Sequence, residues 1–510
     1  MKLVLKYKWE ILTSILLVAA YFVLRLIFLN RLPIFTDEAI YVRWAQIALN
    51  DAAWRFISLT DGKQPMFVWV AMVFIKFIKD PLIAGRLVSV LSGFFTMLGL
   101  FALTYELFKN KRTAFLTVAL YIVYPFAQVL DRMALYDSMV ATFYVWALYF
   151  SILLVRKVRL NIAYTLGFVI GGGVLTKSSN FFSIYLLPFL LILFNFKQKF
   201  VKKQLFKFAA LAVFAAAISY GLYNVLRLSP LYDMIAIKNA TFVYPFSEWF
   251  QHPFIYFNSN LSGLTSWLLQ YLTPAYLILV LLAIIFINKF FKEKVLLLLY
   301  FALPFLALAL FGRLIYPRFV FLMSVMLLPL VAWSLNYLFE KAEEFFPKNV
   351  SYAKVLQLIL LLAVIAYPLY ISLLFAINPL KAPIADADHG QYVDSWAAGW
   401  GIKESVAFFK KQSESQKIFV ATEGTFGLLP ESLEMYLGND KNITVKGYWP
   451  VDIFPKTTLN YAEKMPAYFV FYQSQHVVIP IDFPLKLVFE VRQGDTNFYY
   501  RVYQIIPPNR

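Results

Sequence analysis

The chain has 510 residues, 61% of them hydrophobic, and a mean hydropathy of +0.66, which is more apolar surface than a water-soluble fold of this size buries. The net charge of +18 does not point to nucleic acid, because the Lys and Arg sit in short clusters between apolar runs, as in membrane proteins that meet anionic headgroups. The absence of Cys excludes disulfide and thiol chemistry, and three His speak against a His-rich metal site.

A helix crossing the bilayer needs about 20 mostly apolar residues. Taken in chain order, the runs predict eleven spans, near 10–30, 82–106, 113–129, 138–155, 161–176, 179–195, 206–227, 264–288, 294–311, 318–338 and 354–376. The first run lacks a small-residue cleavage site, so it is expected to be retained as a span. With Lys2, Lys6 and Lys8 inside, the clusters at 109–112, 156–159, 197–207, 289–294 and 340–354 all fall inside as well. This places the N-terminus in the cytoplasm and residues 31–81, 130–137, a tight turn near Lys177, 228–263, 312–317 and 377–510 outside, with the protein integral to the plasma membrane. Counting 64–79 as a span would invert every later loop. That run is therefore expected to be a helix on the outer surface, with Trp69 and Lys76 as interface anchors.

Beyond residue 376 charged and polar residues return. A helical pattern at 406–411 and β-rich runs at 417–422, 443–448, 467–472, 485–491 and 498–505 predict a small extracytoplasmic α/β domain over 377–510, following a membrane domain over 1–376. Asn442-Ile443-Thr444 fits a glycosylation acceptor, a match common by chance.

The polar residues of the outer segments form a constellation. The loop at 31–81 opens with Asp37 and Glu38, either of which fits a general base on an acceptor hydroxyl or amine; the plainer reading has Thr36 capping a helix that the two acids begin. Lys63, before Pro65, fits a phosphate contact or a snorkelling anchor. In the second outer loop Asp131 and Arg132 fit a surface pair, and Asp137 a helix cap, yet polar groups at membrane depth tend to be functional. Lys177 follows a Gly-rich turn, and Arg313 and Arg318 flank Leu314 to Pro317. Cations on the outside oppose the positive-inside bias, and a shared phosphate or pyrophosphate would account for them. Tyr41 and Tyr316, within these stretches, are expected to line the same pocket. Asp37, Glu38 and Asp137 are thus the candidate catalytic acids, and Lys63, Lys177, Arg318, Arg132 and Arg313 the candidate phosphate ligands.

These stretches resemble motifs of the protein O-mannosyltransferase and lipid A aminoarabinose transferase superfamily, GT-C glycosyltransferases of the family 39 and 83 type. Asp37-Glu38 resembles the "DE" motif, Lys63-Gln64-Pro65-Met66 the "KPPL" motif, Arg132 to Asp137 the "R-x-x-x-x-D" motif, and Pro317-Arg318-Phe319 the "P-R-Y" motif. Gly173 to Lys177 resembles "G-x-x-x-T-K" with one residue fewer. The resemblance runs in order over roughly residues 1–340. It implies the GT-C fold and a polyprenyl-phosphate-sugar donor at the outer face, with a lipid, glycan or protein as acceptor. It also implies that Asp37 engages the acceptor, that Lys63 binds the donor phosphate, and that transfer inverts the anomeric centre. Gln64 replaces a Pro, Phe319 a Tyr, and Gly62 stands where the aminoarabinose enzymes carry Glu. No cofactor is expected, with a divalent metal as the alternative.

Two rivals remain. An oligosaccharide transferase using a lipid-pyrophosphate glycan would share the outer carboxylates. A lipid-linked sugar transporter would carry its charges nearer the midplane and often show inverted repeats, and none is seen.

Overall fold

The computed structural model describes residues 7–472 and 479–507; Lys2 and Lys6, counted above among the inside charges, lie outside them. In chain order the helical part contains α1 (Lys8–Leu26), α2 (Thr36–Asn50), α3 (Met66–Ile75), α4 (Pro81–Phe108), α5 (Lys111–Val123), α6 (Pro125–Leu130), α7 (Tyr136–Lys157), α8 (Leu160–Val174), α9 (Val201–Tyr223), α10 (Met234–Phe242), α11 (Phe257–Ile285), α12 (Phe291–Phe311), α13 (Arg318–Phe345) and α14 (Val350–Ile377). Local chemistry sets several starts. Asp80 accepts from the Leu82 and Ile83 amides ahead of Pro81, and Asn110 accepts from the Thr113 amide.

Among the described residues eight helices are long and apolar enough to cross a membrane: α1, α4, α7, α9 and α11 to α14. The other three expected spans are shorter. The run at 113–129 breaks at Tyr124, before Pro125, into α5 and α6. α8 has 15 residues, and 178–193 is a chain of short helical turns. Fifteen residues rise only ~22 Å, less than the ~30 Å hydrocarbon core. α3, expected to lie on the surface, has 10 residues. α13 is the most enclosed of the eight long helices, and α1 and α9 are the most open to lipid. α11 is broken at Thr273 (φ 63°), before Pro274.

Four of the five expected basic loops, 109–112, 156–159, 289–294 and 340–354, gather at one end of the bundle. Arg112 reaches Glu343 at 2.7 Å, Arg156 reaches Glu106 at 2.7 Å and Glu293 at 3.4 Å, and Lys111 reaches Glu10 at 3.2 Å.

The opposite end carries the sheet domain. Its helices are α15 (Ile402–Ser413), α16 (Glu431–Leu437) and α17 (Lys456–Ala462). The chain also forms β1 (Ile34–Phe35), β2 (Ala398–Gly399), β3 (Ile418–Glu423), β4 (Ile443–Tyr448), β5 (Ala467–Phe471), β6 (Leu485–Arg492) and β7 (Tyr499–Ile505). The five-stranded sheet has the order β4-β3-β5-β7-β6, with β4, β3 and β5 parallel and β7 antiparallel to both neighbours. All five β-rich runs are strands. β3, β4 and β5 need helical crossovers because parallel neighbours cannot be joined by a tight turn. Asn442 is exposed, and its amide nitrogen donates to the Ser413 carbonyl at 3.1 Å.

The two parts are stitched together at α2. β1 pairs with β2, Arg43 meets Glu434 at 3.1 Å, and Gln46 donates to the Met435 carbonyl at 2.9 Å.

Candidate active site

α2 begins one residue earlier than a Thr36 cap would allow. Thr36 is its first residue, and its hydroxyl donates to the Ala397 carbonyl at 3.1 Å. The cap position is Phe35, and Glu38, the third helical residue, reaches back to accept from its amide at 3.1 Å. Successive residues on a helix project about 100° apart, so Asp37 and Glu38 cannot face the same way.

Glu38 is fully buried. It pairs with Arg86 through two contacts of 2.8 Å and accepts from the Ala134 amide at 2.7 Å. Arg86 also donates to the carbonyls of Leu29, Leu32 and Pro33. This pair locks the chain between α1 and α2 onto α4, and Glu38 does not face the cavity.

Asp37 does. It lines a cavity of about 910 Å³ at the end of the bundle beneath the sheet domain. Arg318, at the start of α13, reaches it at 2.8 Å, and Lys63 at 3.7 Å. The Tyr41 hydroxyl donates to Asp37 at 3.0 Å and accepts from Lys63 at 2.7 Å. Burial acts to raise the Asp37 pKa, but the Lys63 and Arg318 charges outweigh it and hold the carboxyl well below the usual carboxylate range.

Two further ion pairs line the same cavity. Lys177 meets Asp137 at 2.7 Å and lies over the Phe319 ring at 4.6 Å. Lys238, on α10, meets Asp61 at 2.5 Å, and Asp61 also reaches Lys63 at 3.3 Å. Gly62 makes this second pair sterically feasible. Its φ is +61°, and a Cβ there would sit 2.3 Å from the Met234 carbonyl oxygen and 2.5 Å from the Lys238 Cβ. Gln64, the residue in place of the family's Pro, donates to the Ser178 hydroxyl at 2.6 Å and ties the Lys63 loop to the Lys177 turn.

Asp37, Asp137, Lys63, Lys177, Arg318, Tyr41 and Tyr316 thus lie on one cavity. Two expected phosphate ligands do not. Arg132 is buried and donates to the carbonyls of Leu24, Arg25 and Phe28, so it caps the last turn of α1. Its supposed partner Asp131 pairs instead with Arg25, at 3.0 Å in the core. Arg313 is half-exposed outside the cavity and pairs with Glu248 at 3.6 Å.

Sequence reasoning missed Asp61 and Lys238. Lys238 is a cation in the outer segment 228–263, and the argument that singled out Arg313 applies equally to it. It also missed Phe426, which the sheet domain lends to the cavity wall and which stacks on Trp44 at 6.2 Å. Phe181, Phe182, Tyr185, Leu308, Phe311 and Met323 give the cavity an apolar side. Among the described residues no group of three or more His, Asp or Glu side chains is arranged to hold a metal ion.

This bundle, capped by an α/β domain over a charged cavity, has the GT-C fold of membrane glycosyltransferases. The dolichyl-phosphate-mannose-protein mannosyltransferase family model matches residues 62–223, well under half of the chain. ArnT from Cupriavidus metallidurans bound to undecaprenyl phosphate superposes with a TM-score of 0.62 at 13% identity, over 98% of this chain and 99% of that one. The apo form of the same protein gives 0.59 at 14% identity, over 98% of each chain. The archaeal oligosaccharyltransferase AglB from Archaeoglobus fulgidus, in complex with an inhibitory peptide and a dolichol-phosphate, gives 0.55 at 15% identity, over 92% of this chain and 70% of that one. A comparison with curated proteins finds no match.

Proposed function

We propose that the protein transfers a single sugar from a polyprenyl-phosphate carrier to a hydroxyl or amine of a lipid, glycan or protein acceptor at the outer face of the plasma membrane. In this reading residues 1–376 form the catalytic membrane domain and 377–510 an extracytoplasmic domain. The observation that carries the reading is the placement of Asp37 between Lys63 and Arg318 in a cavity that Phe181, Phe182, Leu308 and Phe311 also line. The apolar side suits an isoprenoid tail, and the cations suit its phosphate.

The charges of the cavity favour a phosphate over a pyrophosphate. Lys63, Lys177, Lys238 and Arg318 set against Asp37, Asp61 and Asp137 leave one positive charge, 4 − 3 = +1. A sugar phosphodiester carries one negative charge and a pyrophosphate diester carries two.

The chemistry follows from the placement. Asp37 takes the acceptor proton as the acceptor attacks the anomeric carbon from the face opposite the phosphate. The bond from that carbon to the phosphate oxygen breaks, and its electron pair leaves on the phosphate. Lys63, Lys177, Lys238 and Arg318 stabilise the charge that grows there. The donor phosphate also draws Lys63 and Arg318 away from Asp37, which makes the carboxylate a stronger base only when the donor is in place.

Lipid extracts of cells lacking the protein test the reading. A polyprenyl-phosphate-linked sugar should accumulate and return to its normal level on re-expression of the wild type but not of Asp37→Asn. Extracts indistinguishable from those of the parent cells would refute the proposal.

A further inference from the structure

An acceptor has to reach Asp37 from a side that the donor leaves free. Two loops of the sheet domain run together over the start of α2. In one, the Ala397 carbonyl accepts from both the amide and the hydroxyl of Thr36, at 3.0 and 3.1 Å. In the other, a Cβ on Gly427 would lie 3.7 Å from Thr36 Cγ2. The loops also meet each other, since a Cβ on Gly399 would lie 3.1 Å from Leu428 Cδ1. Both therefore touch the residue next to Asp37, and each carries a half-exposed ring beside that contact: Trp396, 46% exposed, and Phe426, 49% exposed.

The topology of the sheet explains why two loops converge here. From β3 the chain passes to β4 on one side and then crosses back to β5 on the other, so the connections part at the carboxyl end of β3. Open α/β sheets bind ligands in the crevice outside the carboxyl ends of their parallel strands, at such a switch point. Phe426 sits in the loop just past Glu423, the last residue of β3. That loop is anchored on both sides of Phe426. The Gly424 amide donates to the Tyr448 carbonyl at 2.8 Å, and the Gly427 amide, at φ +124°, donates to Glu431 at 2.9 Å. Tyr472, just past β5, donates its amide to Glu423 at 3.0 Å, and its ring meets Trp396 at 6.1 Å.

Each ring is thus held on one side and open on another. Phe426 stacks on Trp44 at 6.2 Å, and Trp44 packs on Tyr41 at 5.8 Å, the residue whose hydroxyl donates to Asp37. Phe426 also lines the Asp37 cavity. Two cations of the flanking elements are engaged elsewhere, Arg43 with Glu434 and Lys446 over the Tyr448 ring at 5.6 Å. The two loops offer aromatic faces rather than charge.

We propose that Trp396 and Phe426 form a shelf for a sugar ring of the acceptor, so that the acceptor is a neutral saccharide presenting a hydroxyl to Asp37. This rests on the function proposed above and narrows its acceptor. The C–H bonds on one face of a pyranose are weakly positive and pack on the negative face of an aromatic ring. A peptide acceptor would instead add to a sheet edge, here β4 or β6, and neither ring belongs to those strands.

The test uses the full chain in detergent. The probe is the pool of neutral saccharides released from the envelope of cells lacking the protein, which under the proposed function holds the unmodified acceptor. Saturation-transfer NMR should show magnetisation passing from the protein to pyranose ring protons. Trp396→Leu and Phe426→Leu keep an apolar side chain and remove the ring. Each should weaken saccharide binding by about 3- to 10-fold, the scale of one aromatic contact. Phe426→Tyr should bind like the wild type. No transfer to the saccharides, equal transfer in the Leu variants, or transfer to a tryptic peptide pool of the same envelope instead overturns the proposal. Undecaprenyl phosphate binding separates the shelf from the donor site, and Trp396→Leu should retain it. If Trp396→Leu loses both ligands, the comparison of Phe426→Leu with Phe426→Tyr decides. Lipid binding by the wild type without saccharide binding overturns the shelf and leaves the donor standing. Ring-dependent saccharide binding without lipid binding keeps the shelf and refutes the donor.

Discussion

Arg318 and Asp37 are 281 positions apart in the sequence and 2.8 Å apart in the fold. The contact joins the start of α13 to the first turn of α2, beneath the sheet domain. A carboxylate held this way is a weak base until its cation is claimed by another anion, and in the proposed function that anion is the donor phosphate.

Asp37→Asn removes the base and keeps the shape. Turnover should fall by roughly 100-fold or more, the usual contribution of a general base. Binding of undecaprenyl phosphate should tighten, because Lys63 and Arg318 lose a competing carboxylate. Steady-state transfer and a binding titration check the two halves. Near-normal turnover would move the role to Asp137, the other candidate catalytic acid on the cavity.

Asp37 is held below the usual carboxylate range, so it stays ionised as the pH falls past about 4 in the free enzyme. The pH profile of kcat/KM, which reports the free enzyme, should therefore show no acid limb from Asp37 above that value. In Arg318→Gln burial is opposed by one cation fewer, and an acid limb should appear at higher pH. The same limb in wild type and variant would refute the coupling.

Glu38 is predicted to matter for stability and not for chemistry. Glu38→Ala leaves Arg86 buried and unpaired, which should cost about 3–5 kcal/mol. A large drop in thermal midpoint is expected, and whatever folded protein remains should bind undecaprenyl phosphate like the wild type. A stable variant with lost binding would contradict the placement.

The two cations on which sequence and structure disagree separate cleanly. Lys238→Ala should weaken undecaprenyl phosphate binding by roughly 10-fold or more, as for loss of one charge-assisted contact. Arg313→Ala, whose partner Glu248 lies outside the cavity, should leave binding unchanged. The reverse pattern would restore Arg313 as a ligand.

Orientation is open to a direct test because the chain has no Cys. Lys441→Cys, exposed in the sheet domain, should react with an impermeant thiol reagent on intact cells. Lys348→Cys, exposed at the basic end, should react only after permeabilisation. Swapped reactivities would put the cavity on the cytoplasmic side.

By itself the sequence determined what depends on neighbouring residues. Lipid embedding, the positions of the long helices, the basic end of the bundle and the five strands all follow from composition and period, because burial against lipid or sheet is written into local runs. The short motifs also marked Asp37, Lys63, Asp137, Lys177 and Arg318, which share one cavity. Only the tertiary structure decided which charge faces where. Asp37 and Glu38 differ by one position, and the helix turns one to the cavity and the other to Arg86. Arg132 and Arg313 looked like ligands and are spent on the end of α1 and on Glu248, while Lys238 and Phe426 arrive from segments with no motif and Asp61 from two residues before Lys63. Convergence of distant side chains is set by how helices pack, and that packing depends on contacts hundreds of residues apart that no local pattern encodes.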